Sequence, residues 1–298
     1  VPPSTRYRSP PSSRPISRAE GPSPVKFIQR ASLILLGRIL LFTGIAAFFW
    51  IPMIRYYIVR YRLWGGDWWT QIPWGQLDWL LIGVFFFMTS VCVFALDLKK
   101  NLLIVGVAAL GGLSIEAWGT QTELWHYYTK ERPPLWIIPA WPTAALTIDI
   151  LSRILTPRLP AWQPKYYTIA AWVLFPTFFL EMLRFTWPYA GYSMTIYSLC
   201  IIFLVSVSIL AGTCDRRVAV IIFLVGSGLG YFLELWGTTR HCWIYYTGQT
   251  PPVFAVFAHG IASVTFWRVH LIADDILRRW YPAYRGHWSR QLPDARNG

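Results

Sequence analysis

This sequence has little charge. Asp, Glu, Lys and Arg make up 14% of its 298 residues and 55% are hydrophobic, whereas soluble domains carry about 25% charged residues. With a mean hydropathy of +0.39, that deficit excludes an ordinary water-soluble globule and points to a membrane protein. Cysteine is scarce too. Cys92, Cys200, Cys214 and Cys242 show no paired metal-ligand spacing, and the first three fall in or near apolar runs, as small buried side chains do. No Cys-x-x-Cys, glycine-rich phosphate loop or nucleophile elbow occurs. Of the few histidines, His126 and His241 fall in loops, while His259 and His270 lie at different depths of the last apolar run. No His-x-x-Glu-His spacing joins them, so neither a metal nor a cofactor is expected; Glu116, Glu234 and His259 form the one set worth testing for an ion. Acidic residues (14) are outnumbered by basic ones (27), giving a net charge of +13. No nucleic-acid recognition module accompanies the excess, so no nucleic-acid partner is expected; topology and anionic lipid headgroups account for it.

What the chain does have is apolar runs of membrane-spanning length, about 20 residues each. They lie near 32–54, 78–97, 101–120, 134–155, 166–187, 193–213, 217–237 and 252–273. Eight helices with both termini cytoplasmic put 19 of the 27 basic residues inside and seven outside, with Arg38 within the first span. This is the bias of the positive-inside rule. The expected class is therefore all-α, a multi-pass membrane protein of about eight spans. No secretory signal is expected. The first 26 residues, rich in Pro, Ser and Arg, read as a disordered cytoplasmic tail, through which other membrane subunits could dock. The expected organisation is a basic tail over 1–30, four helices over 31–155, four more over 156–275, and a basic tail over 276–298.

The division into halves comes from an internal repeat. Glu116-Ala-Trp118-Gly119-Thr120, Trp125, Tyr127-Tyr128-Thr129 and Pro133-Pro134 recur as Glu234-Leu-Trp236-Gly237-Thr238, Trp243, Tyr245-Tyr246-Thr247 and Pro251-Pro252. Every pair is 118 positions apart, as 234 is from 116, so no gap intervenes. Chance likeness between apolar helices would repeat Leu and Val rather than Glu, Trp, Tyr and Pro. At the same offset Asp97 and Lys99 match Asp215 and Arg217, and Gly112 matches Gly230. Four helices per half is an even number, so the halves enter the bilayer in parallel and a site is expected where they meet. Gly119-Thr120 and Gly237-Thr238 are expected to close the third and seventh helices, glycine supplying the freedom of a C-terminus. The Trp-x-Tyr-Tyr clusters then fall in interfacial loops, and the Pro-Pro pairs start the next helices.

A carboxylate inside a span is costly and is treated as functional. Glu116 and Glu234 qualify by symmetry, and Glu181 lies at a similar depth of the fifth span. Desolvation favours the neutral form of a carboxyl group, and a neutral acid in an aromatic-walled cavity can protonate a carbon–carbon double bond. Aromatic faces would then stabilise the cation. The expected catalytic set is Glu116, Glu234 and His259. The expected substrate wall is Trp118, Trp125, Tyr127, Trp141, Trp236, Trp243 and Tyr245, with Glu181. Bland alternatives stand beside each. The carboxylates could pin the loops, the rings could be ordinary interfacial aromatics, Glu181 could pair with Arg184 one helical turn on, and Asp97 and Asp215 read as short-loop or helix-cap residues.

At these residues the chain resembles the integral-membrane carotenoid-modifying superfamily, which includes the two-repeat lycopene cyclases and the carotenoid hydratase-like proteins. The cyclase pattern is an acidic residue followed nine positions later by Trp. Glu116 to Trp125 and Glu234 to Trp243 are similar to it. Glu116-x-x-Gly119-Thr120 with Tyr127-Tyr128-Thr129 is similar to the hydratase-like start. Where the cyclases have Pro-x-Glu-Glu, this chain has Pro139-Ala140-Trp141-Pro142 and Phe257-Ala258-His259-Gly260. The resemblance implies a long apolar polyene or isoprenoid as ligand and hydration or cyclisation as the reaction. The missing acidic pairs favour the alternative of a non-catalytic pigment- or lipid-binding subunit of a larger membrane complex.

Overall fold

The computed structural model describes residues 24–60, 78–95, 98–160, 162–188 and 215–280. Within them lie seven helices and two short strands: α1 (Pro24–Arg60), α2 (Trp79–Ala95), α3 (Leu98–Gln121), β1 (Trp125–Tyr127), α4 (Ile137–Leu155), α5 (Pro164–Thr186), α6 (Arg216–Thr239), β2 (Trp243–Tyr245) and α7 (Val253–Trp280). Five of the helices, α1, α3, α5, α6 and α7, are long and apolar enough to cross a membrane. In hydrocarbon every backbone N–H and C=O must be satisfied within the chain, and a helix does this in one segment. The chain is thus a mostly helical membrane protein. α2 is apolar but shorter. The expected span at 193–213, Cys200, Cys214, Asp97, residues 1–23 and 281–298 lie outside the described residues. α1 starts at Pro24 and α7 runs to Trp280, so both helices reach into stretches read as tails.

Among the described helices α3, α5 and α6 run toward one end of the bundle, and α4 and α7 run away from it. α3 leads into β1 and α6 into β2, and the two strands pair, so α3 and α6 end at the same end of the bundle. α4 and α7 start there. Tyr246 Oη donates to the Phe185 carbonyl at 2.7 Å, which puts the last turn of α5 at that end too. At the opposite end Arg217 donates to the carbonyls of Thr156 (2.6 Å) and Leu159 (2.8 Å), and Asp215 caps α6 through the Arg217 and Val218 amides. α3 packs on α4 as α6 packs on α7, and α3 meets α7 as α4 meets α6.

The α3–α4 and α6–α7 connections, read as loops, form an antiparallel ribbon. Trp125 faces Tyr245, His126 faces Ile244 and Tyr127 faces Trp243. His126 and Ile244 are 118 positions apart, so equivalent strands pair about their own midpoint. The flanking bonds follow the same exchange: Tyr128 N–H donates to Cys242 O at 3.0 Å, and Tyr246 N–H donates to Leu124 O at 3.1 Å. Backbone with positive φ occurs at Glu123 (60°) and His241 (56°), and at Lys130 (62°) and Gly248 (67°), again 118 apart. Cis peptides precede Pro133 and Pro251. α7 begins directly after Pro252, whereas a turn at Leu135–Trp136 delays α4 until Ile137.

Candidate functional site

Glu116 and Glu234 sit one turn before the ends of α3 and α6, buried to 7% and 3% exposure. Each chain continues past its helix, turns at the positive-φ residue and returns along the ribbon, which brings side chains nine and eleven positions on back to the carboxylate. Glu116 Oε2 accepts from Trp125 Nε1 (2.9 Å) and Tyr127 Oη (2.7 Å), and its Oε1 accepts from Trp141 Nε1 (3.2 Å). Glu234 Oε2 accepts from Trp243 Nε1 (2.9 Å), and its Oε1 contacts Tyr245 Oη (2.9 Å) and His259 Nε2 (3.0 Å). The partners correspond position for position except that Trp141 on α4 is replaced by His259 on α7; Tyr127 shares its oxygen with Trp125, whereas Tyr245 shares its oxygen with His259. Those two rings stack on each other at the centre, with centroids 5.2 Å apart and planes at 19°.

The glycines of the motif are not helix caps. Gly119 and Gly237 lie within α3 and α6, and the indoles of Trp125 and Trp243 lie flat over them. A Cβ at Gly119 would sit 1.9 Å from Trp125, and one at Gly237 2.0 Å from Trp243. The glycine is there so that the Trp can pass over the helix and reach the Glu. Gly112 and Gly230 play the same part for Trp141 and His259. Gly119→Ala or Gly237→Ala is therefore expected to displace an indole and cost about 1–3 kcal/mol of stability, read as a lowered melting temperature of the detergent-solubilised protein. An unchanged melting point would disprove the close-approach role.

Thr120 and Thr238 hydroxyls donate back to the Glu116 and Glu234 carbonyls, both at 2.6 Å. Burial, then the neighbouring carboxylates, hold the Tyr127 and Tyr245 phenols well above the usual tyrosine range, so both stay protonated and donate their O–H to the carboxylates. Burial also pushes the Cys242 thiol up to about 12, which rules it out as a nucleophile at neutral pH.

Two apolar cavities flank this central wall. One, of about 110 Å³, is lined by α2 (Leu81, Phe85, Met88), α4 and the end of α6. The other, of about 210 Å³, is lined by α3, α7 and Phe178 of α5. Their linings correspond at the 118 offset: Trp136 and Phe254, Ala140 and Ala258, Trp236 and Trp118 take equivalent places. Glu116, Trp125, Trp141, Glu234, Tyr245 and His259 border both.

Of the residues expected at the site, Glu116, Glu234, His259, Trp125, Tyr127, Trp141, Trp243 and Tyr245 converge in one hydrogen-bonded cluster. Trp118 and Trp236 line opposite cavities. Glu181 lines neither, and no ion pair joins it to Arg184 among the described residues. Among the described residues no group of three His, Cys, Asp or Glu side chains is disposed to hold a metal ion.

Two residues were missed. Trp136 meets Tyr127 edge-on, centroids 5.3 Å apart. Asp78, buried ahead of α2, accepts from the Leu81 amide (3.2 Å), Trp236 Nε1 (2.5 Å) and Arg240 Nε (3.1 Å). Its signal was an acid immediately before an apolar run, the mark of a helix N-cap. Comparison of the chain with protein-family profiles, with curated proteins and with solved structures finds no match.

Proposed function

We propose that the chain is built of two parallel four-helix repeats, eight spans with both termini cytoplasmic, and that the cavities between them receive the end group of a long apolar isoprenoid or carotenoid-like polyene. One observation carries this reading: an acceptor-and-acid cluster, Glu116, Glu234 and His259, forms the polar wall between two otherwise apolar, aromatic-lined cavities. A cavity of about 150 Å³ lined by apolar side chains takes up benzene. Spaces of about 110 and 210 Å³ suit one ring or one terminal isoprene unit, not a whole polyene. An apolar groove of about 490 Å³ between α2 and α6, lined by Gly83, Phe87, Gly228 and Phe232 among others, offers a course for the remaining chain. The reaction proposed is acid-initiated hydration or cyclisation of a terminal double bond, with the Trp and Tyr faces stabilising the cation.

The second reading is a non-catalytic pigment- or lipid-binding subunit. Glu116 supports it, since its three donors already come from the chain's own side chains.

Expression in a host that accumulates an acyclic polyene separates the two. A product heavier by one water marks hydration, and one of equal mass with an altered absorption spectrum marks cyclisation. The Glu116→Gln/Glu234→Gln double variant should give neither. Unchanged pigment that co-purifies with the chain selects the binding subunit. No product and no bound pigment would sink both forms of the proposal.

A further inference from the structure

We infer that the two halves have divided the work: proton transfer belongs to the Glu234–His259 couple alone, Trp141 is the ring that supports the charged imidazole, and Glu116 is a fixed structural acceptor. This rests on the isoprenoid reading for its substrate, though not for its geometry.

The equivalence of the halves supplies an internal control. At matching positions, Glu116 meets an indole and Glu234 an imidazole, at 3.2 and 3.0 Å. An indole N–H is a donor only, while an imidazole nitrogen both gives and takes a proton. Glu116 is thus surrounded by two indoles and a phenol whose proton is held fast by burial. Nothing in that set can pass a proton on. Glu234 has the same indole and phenol, plus the one partner that can. His259 is also held across its face by the Trp141 ring, and a cation over an indole face is stabilised by the ring quadrupole. Carboxylate at the edge and indole at the face are together the surroundings of an imidazolium. Both members of the couple border both cavities, so the proton is available to an end group in either.

The step balances. The π electrons of the double bond take a proton from the couple to form a new C–H bond, leaving the cation on the more substituted carbon. In hydration, a water oxygen bonds to that carbon and the added water returns its surplus proton to the couple. In cyclisation, a second double bond of the same molecule attacks the cation, and the carbon next to the new cation loses a proton to the couple. Either way the couple ends as it began.

The test uses the full chain in lipid nanodiscs with ¹⁵N-labelled histidine, His259→Asn identifying the signal. His259 Nε2 is expected to show the signature of a charge-assisted hydrogen bond, lost in Glu234→Gln and displaced less by Glu116→Gln. Its absence from the wild type, or equal loss in both variants, overturns the inference. Where a polyene is turned over, Glu234→Gln and His259→Asn should each slow it by about 100-fold or more. Per folded molecule, Glu234→Gln should lose at least about thirtyfold more than Glu116→Gln. Trp141→Leu should lose about tenfold and Trp141→Phe, which keeps a ring face, recover most of that. Equal losses for the two glutamates overturn it. If the wild type turns over no polyene, the isoprenoid reading falls and the histidine signal alone decides the division of the halves.

Discussion

Glu116→Gln is expected to melt well below the wild type and Glu234→Gln close to it, although the two residues occupy equivalent places. A carboxylate offers two accepting oxygens, and an amide offers one. At Glu116 the two oxygens serve different indoles, Trp125 on Oε2 and Trp141 on Oε1, and an indole N–H cannot reverse its role. Whichever way glutamine is turned, one indole N–H faces an NH₂ group inside the protein. A buried donor left unsatisfied costs about 1–3 kcal/mol. At Glu234 only Trp243 is a fixed N–H donor, on Oε2; the Oε1 partners are Tyr245 and His259. A glutamine oxygen toward Trp243 and its NH₂ toward the phenol oxygen and a neutral imidazole nitrogen leaves no donor facing a donor, because a phenol can turn its O–H aside and accept, which an indole N–H cannot. Adding Trp141→His to Glu116→Gln should recover most of the lost stability, because the new imidazole can accept. Fluorescence-detected melting in detergent measures each of these. Equal losses at the two glutamates, or a double variant no better than the single, would show that hydrogen-bond direction does not set the stability here.

Asp78→Ala should be costly as well, by about 2–4 kcal/mol when the loss of an N-cap, about 1 kcal/mol, is added to an orphaned buried indole N–H. The pair with Arg240, whose side chain is 39% exposed, adds little because solvent screens it. The variant also frees the start of α2 from the end of α6, and α2 supplies Leu81, Phe85 and Met88 to the smaller cavity. On the isoprenoid proposal, ligand uptake there should weaken while uptake in the cavity lined by Phe178 and Phe254 persists. Titration with a fluorescent isoprenoid analogue would show one class of site lost and one kept. Equal weakening of both would contradict this placement of α2. Asp78→Asn should lie between wild type and alanine, since an asparagine oxygen still caps and accepts.

The convergence on Glu116 and Glu234 was legible in the sequence because the steps to Trp125 and Trp243, and to Tyr127 and Tyr245, repeat without a gap in residues that chance seldom repeats. The places of the seven described helices, though not their ends (α1 runs Pro24–Arg60 against an expected 32–54), followed from apolar run lengths. The ribbon was not legible. Its strands are three residues each, too short to show alternation, and each strand's partner lies in the other half of the chain. Gly119 was read as a cap because glycine near a helix end commonly is one; only the indole lying over it shows the other use. Asp78 was hidden for a different reason. Its partners lie 158 and 162 positions away, and the equivalent position carries Ile196, so the repeat that exposed the rest of the site passed it over. The Trp141 and His259 substitution was visible as a departure from the cyclase pattern, but the stacking that gives it meaning depends on α4 and α7 meeting at the centre.

The ribbon has one more consequence. A strand that pairs with its own equivalent about a midpoint is self-complementary, the geometry of an isologous contact. Two free half-length chains could close the same ribbon, yet both would then carry the same residue at the central stack, two indoles or two imidazoles. A mixed stack requires two segments of different sequence, and one chain that carries both supplies them at a fixed ratio. The pairing of two unlike segments is therefore what gives the centre a polarity, an indole on one side and an imidazole on the other.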